Sequence, residues 1–197
     1  MHPSVQPRQI DAIREIANIG AGHAATNLST LTGLRVMISV PRIQWIEEDS
    51  APPATGSGDR VVIEVPIVGI RGEAGELASL ILSRDTALRM VALMLRRDPS
   101  EHRVLGALER SALNELGNIV CAAYVGVLGE FLGSGVMIGT PELVEAGSGT
   151  PIHRKIRGLM IETDFGLLGS SFEGLFILSH TDVSFATLLD ALGLGAG

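Results

Sequence analysis

The chain is nearly without cysteine and poor in aromatic residues. Its single thiol, Cys121, excludes an internal disulfide. That residue sits in an apolar helical stretch and reads as buried filler rather than a reactive group. Aromatic residues make up only 4% of the chain, so a core has to be built from Leu, Ile, Val and Ala. Basic residues are outnumbered, 15 against 22 acidic ones, and the net charge of −7 argues against a nucleic-acid or anionic-membrane surface. The opening MHPSVQPRQ lacks the basic start and apolar run of a signal peptide. The most apolar window, 119–132, contains Glu130 and follows Glu115, and it reads as too short and too interrupted to span a membrane. These absences predict a cytoplasmic protein. The five histidines show no metal-ligand spacing, and no Ser–His–Asp or Cys–His set is suggested.

What the chain does have is a repeat. Residues 11–41 read DAIREIANIGAGHAATNLSTLTGLRVMISVP, and residues 111–141 read SALNELGNIVCAAYVGVLGEFLGSGVMIGTP. In both, a short polar residue (Asp11, Ser111) is followed by Glu (Glu15, Glu115), then Asn (Asn18, Asn118), then a distant Pro (Pro41, Pro141). Every element recurs at an offset of 100 residues.

Taken in order, residues 1–7 read as a frayed terminus. Apolar residues at helical spacing predict a helix over 8–31, with Gly33 as its C-cap. Gly20 and Gly22 weaken that helix and are explained if another backbone packs closely there. A strand over 34–46 breaks at Pro41, and 48–60 is a polar loop. Residues 61–70 and 76–82 read as a hairpin. Gly69, Gly72 and Gly75 belong to its turn and not to a phosphate loop, because no Lys-Ser/Thr and no helix follow. Ser83 caps a helix over 84–95. After a joint at 96–102, a long helix over 104–132 carries the second motif, and a strand over 136–145 is interrupted at Pro141. Segments 158–163 and 175–179 resemble a second hairpin, and Thr181 caps a last helix to about 192. The fold class is therefore α/β. It is a pseudo-two-fold, duplicated α-β-β-β-α unit, with two long motif-bearing helices beside a β-sheet. The whole chain, 1–197, is expected to be a single domain of two repeats, about 8–97 and 101–192, whose sheets pair across the halves.

Helix positions i, i+4 and i+7 share one face, so Asp11, Glu15 and Asn18 line up, as do Ser111, Glu115 and Asn118. The apolar positions lie elsewhere, which predicts exposure of both polar stripes. One carboxylate beside one carboxamide makes a poor metal site. It can grip a cation and hold a water, because the amide is both donor and acceptor. Between the repeats nearly every exposed residue has changed while Glu, Asn and Pro remain, which favours a function over a merely solvated face.

The doubled pattern Asp/Ser-x3-Glu-x2-Asn-x22-Pro resembles the CheC-type phosphatases of bacterial and archaeal chemotaxis, a group that includes CheX and FliY. The resemblance covers nearly the whole chain, 8–192. Two motifs fit CheC itself, whereas CheX would carry one per chain and FliY would add a flagellar-switch domain. The resemblance implies a hydrolase acting on a phosphorylated CheY-type response regulator. Asn18 and Asn118 would position the attacking water, and Glu15 and Glu115 would contact the regulator's active-site lysine. Asp11 and Ser111 would support the helix face or make further docking contacts, and Pro41 and Pro141 would shape the neighbouring strand. The chain would have no cofactor of its own, because Mg²⁺ would come with the regulator. Two other readings come with the resemblance: an adaptor for the receptor deamidase CheD, docking near 182–192, and a component of the flagellar switch. A monomer is expected, since the internal repeat already provides the pseudo-dimer interface.

Overall fold

The computed structural model describes residues 7–40, 42–46, 59–68, 77–98, 104–133, 135–146, 158–167, 170–179, 186–187, 189–190 and 193. Helix α1 (Pro7–Thr32) leads into the short strands β1 (Val36–Ser39) and β2 (Ile43–Ile46). A hairpin follows, β3 (Arg60–Val68) and β4 (Leu77–Ser83), and then helix α2 (Arg84–Met94). The second half repeats the order with α3 (Ala107–Leu132), β5 (Met137–Ile138), β6 (Glu142–Ala146), β7 (Gly158–Leu167) and β8 (Ser170–Ser179). Residues 186–187 and 189–190 are helical again. The proposed cap Thr181, the loop at 48–58 and the glycines at 69, 72 and 75 lie outside the described residues.

Strand order is β1-β7-β8-β4-β3-β5, with β2 also on β7 and β6 also on β3. All these pairings are antiparallel. The two hairpins meet at the centre, where Leu77 faces Ser179 and Leu82 faces Gly174, so one sheet runs through both halves. Each edge position is one strand broken in two. On the β3 side, Ile138 faces Ile67 and Glu142 faces Glu64. On the β7 side, Ile38 faces Phe165 and Ile43 faces Ile161. In both cases the broken strand carries one residue more than its partner, which is a bulge. Pro141 sits in that extra segment, directly before β6. An edge strand tolerates proline there because no ladder hydrogen bond is lost. Pro41 itself lies outside the described residues.

The principal core lies between one sheet face and the helices. Alternate residues Val61, Ile63, Val65 and Ile67 of β3 and Leu159, Ile161 and Phe165 of β7 join Ile13, Ile16, Ala21, Leu28, Leu113, Leu116 and Val120 from the long helices. The other sheet face holds a smaller buried cluster, including Val62, Ile81, Met160 and Ile177. Tyr124 of α3 stacks on Phe176 of β8, centroids 4.5 Å apart at 18°. Such a pair adds about 1 kcal/mol beyond its buried area. Burial pushes the Tyr124 phenol up to about 12, partly offset by neighbouring Thr163.

Local signals set the helix ends. Ser83 Oγ accepts the Thr86 backbone N–H at 3.1 Å, the N-cap expected from the sequence. Gly33 has φ +72°, a left-handed C-cap that glycine adopts without strain. Ser29 Oγ accepts the Val36 N–H at 2.9 Å and so ties β1 to the last turns of α1. At the start of α3, Arg97 Nη1 donates to Glu109 Oε1 at 2.7 Å. With hydrogen bonds from its own backbone and from Arg97, the Glu109 carboxyl is held below its ordinary range.

Three expectations need correction. Gly20 does mark a close approach, because a Cβ there would lie 3.1 Å from Tyr124 Cα. Gly22 does not, since nothing lies within 4 Å. The second hairpin is longer than 158–163 and 175–179: β7 and β8 pair from Gly158–Ser179 to Leu167–Ser170. Gly174 interrupts the apolar run because a Cβ would come within 2.9 Å of Leu82 and Phe165, yet the strand continues through it. Finally, α3 does reach the length and apolarity of a membrane span, but 67% of its most apolar window is buried inside the fold. It is apolar because it is a core helix.

Two outcomes follow for stability. Gly20→Ala should destabilise the protein by about 1–3 kcal/mol through overpacking. Gly22→Ala should stabilise it by about 0.4–1 kcal/mol through the unfolded chain. Denaturant unfolding separates the two, and equal shifts would contradict the packing described. Cys121 is fully buried with its thiol pKa pushed up, so a thiol-reactive dye should label it only after unfolding.

Candidate active site

Two opposed faces divide each long helix. On α1 the sheet side is Ile13, Ile16, Ala17, Gly20, Ala21, Ala24 and Leu28. On the other side Asp11, Glu15 and Asn18 are all exposed, followed one turn on by exposed Gly22. On α3, Leu113, Leu116, Val120 and Cys121 are buried, whereas Ser111 and Glu115 are exposed and Asn118 is half-buried. The structure thus brings Asp11, Glu15 and Asn18 to one open face, and Ser111, Glu115 and Asn118 to another. Pro141 is half-buried at the broken edge strand.

Charge on these faces is sparse. Arg14 Nη1 lies 3.4 Å from Asp11 Oδ1, with the two side chains 43% and 72% exposed. A pair this long and open contributes little to folding. The exposed Glu15 and Glu115 leave their carboxylates available for a cationic side chain arriving from outside. Beside each, the Asn carboxamide can accept and donate at once, which orients a water without adding charge.

Position-by-position comparison of the repeats, read with burial, adds residues that the motif alone does not single out. Leu28 and Leu128, and Val36 and Val136, are identical pairs that serve the core. Ile19 and Ile119 are also identical and directly follow the motif asparagines. Ile19 is 43% exposed, and Ile119 packs partly against the core. Each face therefore has an apolar flank next to its Asn. Identical Met37 and Met137 are exposed as well, but they alternate with core-facing Val36 and Ile38 and so lie on the sheet face away from the helices. Beyond Asn118 a groove of about 340 Å³ opens between α1 and α3, lined by His23, Thr26 and Asn27 on one side and by Ala122, Gly126 and Glu130 on the other.

Known proteins resemble this chain in sequence and fold. The sequence pattern of the CheC-like family matches residues 9–44 and 108–145, which are the two motif helices with the strands after them. CheC1 of Halobacterium salinarum is 29% identical over 147 residues, covering 74% of this chain and 73% of that protein. The CheY-P phosphatase CheC of Bacillus subtilis is 26% identical over 128 residues, 64% of this chain and 61% of its own length. The crystal structure of Thermotoga maritima FliY superposes with a TM-score of 0.76 at 22% identity, over 96% of this chain and 98% of that one. Both motifs thus lie inside segments that match the CheC-like family, and the fold is shared with FliY along its length.

Proposed function

We propose that this chain is a phosphatase of a CheY-type response regulator, hydrolysing its aspartyl phosphate at two sites, Glu15–Asn18 and Glu115–Asn118. The observation that carries the reading is the recurrence of an accessible Glu–Asn pair at equivalent positions of both repeats, on helices otherwise committed to the core. Support also comes from the Bacillus subtilis relative, which is named for this activity.

The chemistry suits so small a set of groups. In-line attack of water on phosphorus breaks the bond to the aspartyl oxygen and releases inorganic phosphate and a free carboxylate. Such transfer needs alignment and electrostatic stabilisation more than covalent help. The Asn amide oxygen accepts a hydrogen bond from the water and fixes its approach. The Glu carboxylate pairs with a lysine of the regulator, so docking and water placement come from one helix face, one turn apart. Magnesium would be supplied by the regulator. Ile19 and Ile119 give each face an apolar contact beside the asparagine.

Decay of the phosphorylated regulator tests this. Asn18→Ala and Asn118→Ala should each remove one site's share of the acceleration. The double variant should lose about a hundredfold, the cost of an unpositioned nucleophile. Folding stability should stay within about 0.5 kcal/mol, since neither side chain is buried. Glu15→Ala with Glu115→Ala should chiefly raise KM. A double Asn variant as active as the parent would remove the water-positioning role. A parent protein that leaves decay unchanged would favour the adaptor reading, with CheD as the partner.

A further inference from the structure

Inside each motif lies one more polar position, 14 in α1 and 114 in α3, whose occupant changes in step with the first motif residue. In α1 the two are Asp11 and Arg14, and in α3 they are Ser111 and Asn114. Position 14 is three residues from 11 and four from 18, so Arg14 borders both Asp11 and Asn18. Asn114 borders Ser111 and Asn118 in the same way. The inner polar atoms of both residues, Arg14 Nε and Asn114 Oδ1, are shut from solvent without a hydrogen-bond partner. An apolar side chain would leave no such atom unsatisfied. A polar residue kept at this position in both repeats is therefore poorly explained by stability.

Charge explains it better. Arg14 pairs with Asp11 at 3.4 Å, which leaves Glu15 as the net charge of that motif. Ser111 and Asn114 are neutral, which leaves Glu115. One further exposed arginine borders each face from the first turn, Arg8 on α1 and Arg110 on α3. The two faces thus reach the same balance by different residues, an acid with a base in one and two neutral groups in the other.

We propose that Arg14 neutralises Asp11, so that the first face meets its phosphorylated substrate with the charge of the second, and that positions 11 and 14 together set that site's affinity for an anionic partner. The inference rests on the phosphatase reading above. A regulator's aspartyl phosphate is an anion, and Asp11 stands two helical turns, about 10 Å, from Asn18, a separation that salt screens only weakly below about 0.1 M. Without Arg14 its carboxylate would repel the substrate. Arg14 acts through Asp11 and is a positioning residue.

The test measures binding of a beryllofluoride-activated regulator to the first face at several salt concentrations, with the second face disabled by Glu115→Ala and Asn118→Ala. Arg14→Asn should weaken binding about five- to tenfold at low salt and much less at high salt. Arg14→Lys should keep the parent affinity, and Asp11→Ser should tighten binding. The combination Asp11→Ser/Arg14→Asn, which copies the second face, should return to within about twofold of the parent. Arg14→Asn binding like the parent, or a double variant as weak as Arg14→Asn alone, overturns the inference and leaves the phosphatase reading standing. No binding of the activated regulator by the unaltered protein overturns both.

Discussion

The pairing of β4 with β8 is the contact on which the rest of the molecule depends. It joins two hairpins into one sheet, and that sheet is wide enough to seat α1 and α3 side by side. Neither half could bury its own helix and strands as completely, because each hairpin has one outer edge closed only by a short broken strand. The crossing of the helices adds a second constraint: Gly20 lets α1 approach the backbone of α3 at Tyr124, and Tyr124 in turn stacks on Phe176 of β8. The chain of contacts runs from helix to helix to the central strand pair. It holds both motif helices in fixed orientation.

That rigidity is what a two-residue site requires. Glu15, Asn18, Glu115 and Asn118 all project from α1 and α3. They are placed by helices whose opposite faces are locked into the core. The tasks follow the helix period, with most apolar residues packed into the core and the polar stripe on the open side, Ile19 and Leu108 being among the exposed exceptions. A small displacement of such a face would cost the proposed catalysis far more than it costs folding. The fold is shared with FliY of Thermotoga maritima, and a shared fold fixes no function by itself; function lies in the side chains that the fold presents.

Much of this was legible in the sequence because the signals were local. Helical periodicity, the Ser83 cap, the Gly33 cap and the strand break at Pro141 each depend on a few neighbouring residues, and the structure has them where expected. The repeat made the two-fold plan legible, and the placement of Asp11, Glu15, Asn18, Ser111 and Glu115 on open faces followed from spacing alone. What was not legible depends on contacts distant in sequence. Gly174 looks like a strand breaker until Leu82 and Phe165 are seen to leave no room for a side chain. Gly20 and Gly22 read alike, yet only one faces Tyr124. The apolarity of α3 has a different meaning once it lies on the sheet. The half-burial of Asn118 and the unsatisfied atoms at positions 14 and 114 likewise need neighbouring elements to be seen.

The most direct test of the central claim is a count of the activated regulators that one chain binds. Sedimentation of the protein with saturating beryllofluoride-activated regulator should give two per chain, falling to one when either Glu–Asn pair is replaced by alanine and to none when both are. A parent complex that saturates at one regulator, or one that keeps its stoichiometry after both pairs are removed, would contradict the account.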